Sequence, residues 1–178
     1  MNRLVLRELD LRQTDDVLEV GFGGGGLLAM THRQTAGQVI GVDPSAAMVE
    51  RARRRWRGDA RVRLILGSVQ ALPLADASID KACSLNNIYF WPDPVAAMTE
   101  LARVVRPGGA LSICFEPPEE LMKWPGHVYG FRMVEEAEVR KLMEDSGFAL
   151  VRRAEGSGRK PDHFLCLTGE RLGDDAAA

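Results

Sequence analysis

VLEVGFGGGG, residues 17–26, runs from an apolar segment straight into five glycines within six positions, Gly21 and Gly23 to Gly26. Glycine weakens strand and helix interiors because it loses more backbone freedom on folding than any other residue. A chain that concentrates it at one bend has something there that must approach the main chain more closely than a side chain would allow.

Outward from that bend, short β-type runs alternate with helical ones. Segments 16–20, 38–42, 62–66, 79–85 and 110–115 read as strands, and the first two are continuously apolar, as buried parallel strands are. Helices are predicted over Leu27 to Ala36, Ser45 to Trp56 and Pro94 to Val105. Ser45 serves as an N-cap and Met48, Ala52 and Trp56 form a core stripe. Asp93 before Pro94 is a second helix start. After a proline-rich connection, Glu116 to Gly126, come a helix from Val134 to Ser146 and two strands, 148–154 and 162–168, that read as an antiparallel hairpin at the sheet edge. Strict alternation predicts an α/β doubly wound sheet, which receives ligands at the carboxyl ends of its strands.

The glycines sit at the first such end. Gly21, Gly23 and Gly26 satisfy G-x-G-x-x-G, a weak signal alone, and Asp43, 22 residues past Gly21, closes the second strand where a carboxylate can accept from both hydroxyls of an adenosine ribose. No lysine followed by Ser or Thr comes after the glycines, which excludes a P-loop.

The bulk properties fit one domain. The chain has 178 residues, 46% of them hydrophobic, with 23 Lys and Arg against 25 Asp and Glu, so no strong field draws in nucleic acid or a membrane surface. The domain is read as residues 1–170 with a frayed tail; the N-terminal segment is charged every few residues, unlike a secretory signal, and no apolar run approaches the about 18 residues of a membrane span. Cys83, Cys114 and Cys166 lie in apolar runs and read as reduced core thiols, which with the other features gives a cytoplasmic location. No His, Cys and acid cluster has metal-ligand spacing, so no metal is predicted. Seven arginines between Arg51 and Arg63 read as the solvated side of a helix.

LEVGFGGG resembles the acid-x-Gly-x-Gly-x-Gly signature of class I S-adenosylmethionine-dependent methyltransferases. GVDPSAAMVERAR is similar to their second-strand segment, and residues 66–113, down to the RVVRPGG turn before strand five, to the remaining motifs of the small-molecule branch. The resemblance implies a Rossmann-like seven-stranded sheet in the order 3-2-1-4-5-7-6 with strand 7 antiparallel, and S-adenosylmethionine as cofactor. It implies that Gly21, Phe22, Gly23 and Gly25 back the methionyl part and ribose, that Glu19 helps hold the amino group, and that Asp43 takes the ribose hydroxyls. Pro44 and Met48 then border the adenine, Ser68 stands where the family often has an acid, the Val69 backbone bonds the ring, and Leu85 and Asn86 form the floor beneath the sulfonium.

No catalytic residue is assigned, since an activated methyl needs mainly alignment. Asn87, Tyr89, Trp91, His127 and Tyr129 are the candidates for the side that meets a small-molecule acceptor; His32 and His163 read as structural. The family usually has a longer N-terminal segment over the cofactor, so the pocket is expected to be open or completed by a second subunit of a homo-oligomer. A protein that binds the cofactor without turnover and a nicotinamide-dependent dehydrogenase are the alternatives.

Overall fold

The computed structural model describes residues 1–125, 132–158 and 162–173. Five strands run parallel, β1 (Val17–Val20), β2 (Val39–Asp43), β3 (Val62–Leu66), β4 (Ile79–Leu85) and β5 (Val105–Phe115). Two more, β6 (Phe148–Gly156) and β7 (Phe164–Arg171), form the predicted antiparallel pair. The sheet order is β3-β2-β1-β4-β5-β7-β6, with β7 antiparallel to β5, as the family resemblance implies. Every residue of β1 and β2 is buried, the signature of strands covered on both faces.

The covering helices are α1 (Asn2–Leu9), α2 (Gly26–Thr31), α3 (Ala46–Arg55), α4 (Pro94–Val104), α5 (Pro118–Leu121) and α6 (Glu136–Asp145). Met98 and Leu101 of α4 and Val139 and Met143 of α6 pack with Leu18, Ile113, Phe115 and Phe148 in the larger core. Leu4, Val5, Leu6 and Leu9 of α1 pack with Leu27 and the thiols of Cys83, Cys114 and Cys166 in a second one. All three cysteines are free and buried, and the antiparallel register sets Cys114 opposite Cys166. No helix among the described residues is long and apolar enough to cross a membrane.

Four expectations change. The N-terminal residues form α1, an eight-residue helix whose apolar positions are too few to stand out between exposed Arg3 and Arg7. α2 stops at Thr31 instead of continuing to Ala36, because the Thr35 hydroxyl donates to the carbonyls of Gln13 (3.1 Å) and Asp15 (2.7 Å) and draws the chain out of the helix. On α3 the fully buried positions are Val49 and Ala52, with Met48 and Trp56 only partly covered. Arg171, read as the first residue of the tail, belongs to β7, where it pairs with Phe148, and its guanidinium donates to the Ala102 carbonyl.

Side-chain caps start two helices as read. Asp93 accepts from the amides of Val95 and Ala96, both at 3.0 Å, and Ser45 from Met48.

Phe115 is fully buried at the end of the central β5. Phe115→Ala is expected to destabilise the fold by about 3–5 kcal/mol, read by urea denaturation; a loss under about 1 kcal/mol would contradict this packing.

Candidate cofactor site

The glycine loop connects β1 to α2, and Gly21, Gly23 and Gly25 all adopt positive φ, 70°, 47° and 69°, where side chains are strained. Their surroundings differ. A Cβ on Gly21 would meet the Asn87 amide carbon at 2.2 Å, whereas at Gly23, Gly24 and Gly25 it would meet nothing within 4 Å among the described residues. Gly21 is therefore glycine because Asn87 packs against it, and the other three border open space.

Asp43 fixes this loop. It is 5% exposed at the end of β2, with one carboxylate oxygen accepting from the Gly23 amide at 2.8 Å and the other from the Ser45 amide at 2.9 Å. The loop is thereby tied to the second strand end, with lone pairs left on both oxygens. Phe22 is 4% exposed and its ring packs with Leu28, Val39, Val49 and Ala52, so its side chain serves the core and cannot line the site.

Glu19 stands on β1 between Gly41 of β2 and Cys83 of β4, at 4% exposure. Its Oε2 has no hydrogen-bond partner among the described residues. Burial, with a smaller contribution from the Asp43 charge, pushes this carboxyl up to about 8 despite a hydrogen bond from the Leu28 backbone. A buried acceptor without a donor is costly, and an ammonium group in the open space nearby would supply one. The cradle and the orphaned oxygen fit the amino-acid end of the expected cofactor.

A cleft of about 150 Å³ lies across the ends of β1, β2 and β3, walled by Gly21, Pro44, Ser68, Val69, Asn87 and Phe90. Ser68 is exposed and its hydroxyl accepts from the Gln70 amide at 3.2 Å. The loop beyond Ser68 is held by Glu100, which accepts from the Leu72 amide at 2.7 Å, and by Arg103, which donates to the carbonyls of Leu72 and Leu74. Met48 lies partly buried beside Phe22 on α3.

On the acceptor side Tyr89 sits one layer back, whereas Trp91 lines the cleft with little of its surface exposed. Tyr89 and Trp91 are 3% and 4% exposed. Trp91 donates its indole N–H to Asn87 at 2.7 Å, and the Tyr89 hydroxyl contacts Asn86 Oδ1 (3.3 Å) and the Glu116 carbonyl (3.2 Å). Burial holds the Tyr89 phenol far above its ordinary value, so it stays neutral. They position asparagines, and the exposed ring is Phe90, at 54%. The turn over Ile88–Phe90 has one face in the core, and alternation of buried and exposed rings there carries no periodic signal in the sequence. His127 and Tyr129 lie outside the described residues.

Glu116, which the sequence reading did not single out, follows β5 and accepts from the Asn86 amide at 2.7 Å. His32 pairs with Asp59 at 2.8 Å and stacks near Trp56, and His163 faces Glu155 at 3.4 Å; neither touches a residue of the site.

Residues 18–113 match the family described as Methyltransferase domain. An uncharacterised methyltransferase of Bacillus subtilis, YdaC, is 35% identical over 120 residues, covering 67% of this chain and 66% of its own. The chain spans about a third to two thirds of the length of the first curated relatives it matches. Two solved structures share the fold. The geranyl diphosphate C-methyltransferase of Streptomyces coelicolor, in complex with Mg2+, geranyl diphosphate and S-adenosyl-L-homocysteine, superposes with a TM-score of 0.80 at 16% identity, covering 96% of this chain and 78% of that one. The cyclase SpnF does so at 0.80 and 19%, covering 97% and 81%.

The state of Glu19 has a consequence for stability. Unfolded, the carboxyl ionises near its ordinary value of about 4.3. Between there and about 8 the folded chain holds a proton that the unfolded chain lacks, so stability falls as pH rises through that window. Glu19→Gln removes this dependence. Thermal unfolding from about pH 5 to about pH 8 is expected to show a smaller loss for the variant than for the wild type; parallel losses would contradict a protonated Glu19.

Proposed function

Because the chain belongs to the class I S-adenosylmethionine-dependent methyltransferases, we propose that it moves a methyl group from S-adenosylmethionine to a small-molecule acceptor by in-line displacement. Bound in the site, S-adenosylmethionine supplies a methyl already activated on a sulfonium sulfur. The work left to the protein is to align the partners and exclude water.

The observation that carries this reading is the unpartnered Oε2 of Glu19 beside a glycine loop whose Gly23, Gly24 and Gly25 border open space. Glu19 would receive the amino group and Asp43 the ribose hydroxyls through its remaining lone pairs. Pro44, Met48, Ser68 and the Val69 backbone would border the adenine in the cleft between the ends of β2 and β3. Gly21, Leu85 and Asn86 would form the floor under the sulfur. A small, partly apolar acceptor is supported by the exposure of Phe90, Met122 and Trp124, which follow β4 and β5 at the same end of the sheet. Nucleic acid is disfavoured: Arg51, Arg53, Arg54 and Arg55 are exposed on α3, and Arg53 is engaged by Glu50 and the Leu64 carbonyl.

A second reading, cofactor binding without transfer, draws support from Ser68, whose hydroxyl is already engaged by Gln70 and offers adenine a neutral partner in place of an acid. Calorimetry separates the two readings when it is followed by a transfer screen with methyl-labelled cofactor. Binding with transfer to amine or hydroxyl compounds is the expected outcome, and binding with none across a broad panel favours the second reading. Asp43→Ala is expected to weaken binding of S-adenosylhomocysteine by about 1.5–3 kcal/mol, the range for hydrogen bonds to a charged group. An unchanged dissociation constant would remove the ribose assignment.

A further inference from the structure

Glu116 follows β5, the strand beyond β4 on the side away from the glycine loop. Its carboxylate is oriented by its neighbours. The Asn86 amide donates to Oε1 at 2.7 Å, and Asn86 is itself held in the left-handed region at φ 49° with its N–H on the Cys114 carbonyl at 2.8 Å. Tyr89 closes the arrangement, since its hydroxyl donates toward Asn86 Oδ1 and the Glu116 carbonyl while the Glu116 N–H donates back to it. Oε2 accepts from no described residue, and the side chain is half-buried, within reach of a ligand. Fastening β4 to β5 does not require this carboxylate, because the two strands already pair as far as Leu85 and Cys114.

Resting on the methyltransferase reading above, we infer that Glu116 is the acceptor-side carboxylate, facing the transferred methyl and taking the proton from an acceptor that attacks through O–H or N–H. The acceptor's lone pair forms the new bond to the methyl carbon, the carbon–sulfur pair stays with sulfur, and the acceptor proton passes to Oε2. Other nearby groups are unsuited. Among the described residues, Tyr89 stays neutral, Glu120 is engaged by Lys123 at 2.6 Å, Asp43 lies three strands away on β2, and the three thiols are buried in the core. Acceptors that attack through a thioether or a tertiary amine have no proton to lose and gain nothing from this residue.

The test needs no knowledge of the acceptor. The carboxyl of Glu116 is followed by NMR in the full chain labelled with 13C-glutamate, its resonance assigned by E116Q, in complexes with S-adenosylmethionine and with S-adenosylhomocysteine. A sulfonium within a few ångströms lowers the titration midpoint by about half a pH unit or more relative to the neutral thioether, and the group is ionised at pH 7 in both complexes. Equal midpoints, or a protonated carboxyl at pH 7, overturn the inference. Calorimetry supplies a second readout: E116Q is expected to weaken S-adenosylmethionine about three- to tenfold while leaving S-adenosylhomocysteine unchanged, and E116D to keep the wild-type preference. Equal weakening of both ligands marks a merely structural role and overturns the inference. Wild type that binds neither ligand defeats the methyltransferase reading itself, whereas binding of both with an indifferent Glu116 defeats only this assignment.

Discussion

Two backbone amides, those of Gly23 and Ser45, converge on the carboxylate of Asp43, and the geometry of the whole site depends on them. Without that anchor a run of five glycines would have little reason to keep one shape, since glycine is the residue with the most conformational freedom to lose. With it, the loop is held against the end of β2, its positive-φ corners are fixed, and Gly23 to Gly25 present bare main chain to open space. The strands do the rest. β1 and β2 are buried along their full length, so the two residues that matter most, Glu19 and Asp43, are carried on rigid elements and not on mobile loops.

Three carboxylates gather at this end of the sheet and their environments differ. Asp43 is spent largely on the backbone. Glu19 is enclosed, with one oxygen lacking a donor, and burial holds its proton to about pH 8. Glu116 is half-buried and oriented by an asparagine. A concentration of acidic groups with unsatisfied acceptors suits a ligand that brings positive charge at two places, an ammonium and a sulfonium.

Much of this was legible in the sequence. The alternation of apolar strands and helices gives the doubly wound parallel sheet because crossovers are right-handed, and the family resemblance supplies the strand order. Asp43 and Glu19 announce themselves by their place at the ends of an apolar strand and a glycine run. The rest was hidden for physical reasons. Phe22 and Tyr89 lie next to site residues in the chain, yet their rings turn inward, and a bend of three residues such as Ile88–Phe90 has no periodicity to say which way each ring points. α1 is too short for its four buried residues to register as a stripe. Glu116 was passed over because it sits at the start of a proline-rich connection, and its partner Asn86 lies on another strand, 30 residues away. The match to the methyltransferase domain removes the dehydrogenase alternative, which the glycines and Asp43 alone had left open.

The central claim is that bare main chain between β1 and α2, braced by Asp43, cradles an adenosine cofactor. The most direct test is a crystal structure of the full chain grown with S-adenosylhomocysteine. The account predicts density along Gly23 to Gly25, with both ribose hydroxyls on Asp43 and the amino group at Glu19. An empty crevice, or the ligand seated elsewhere with the Asp43 carboxylate touching only its two amides, would contradict it.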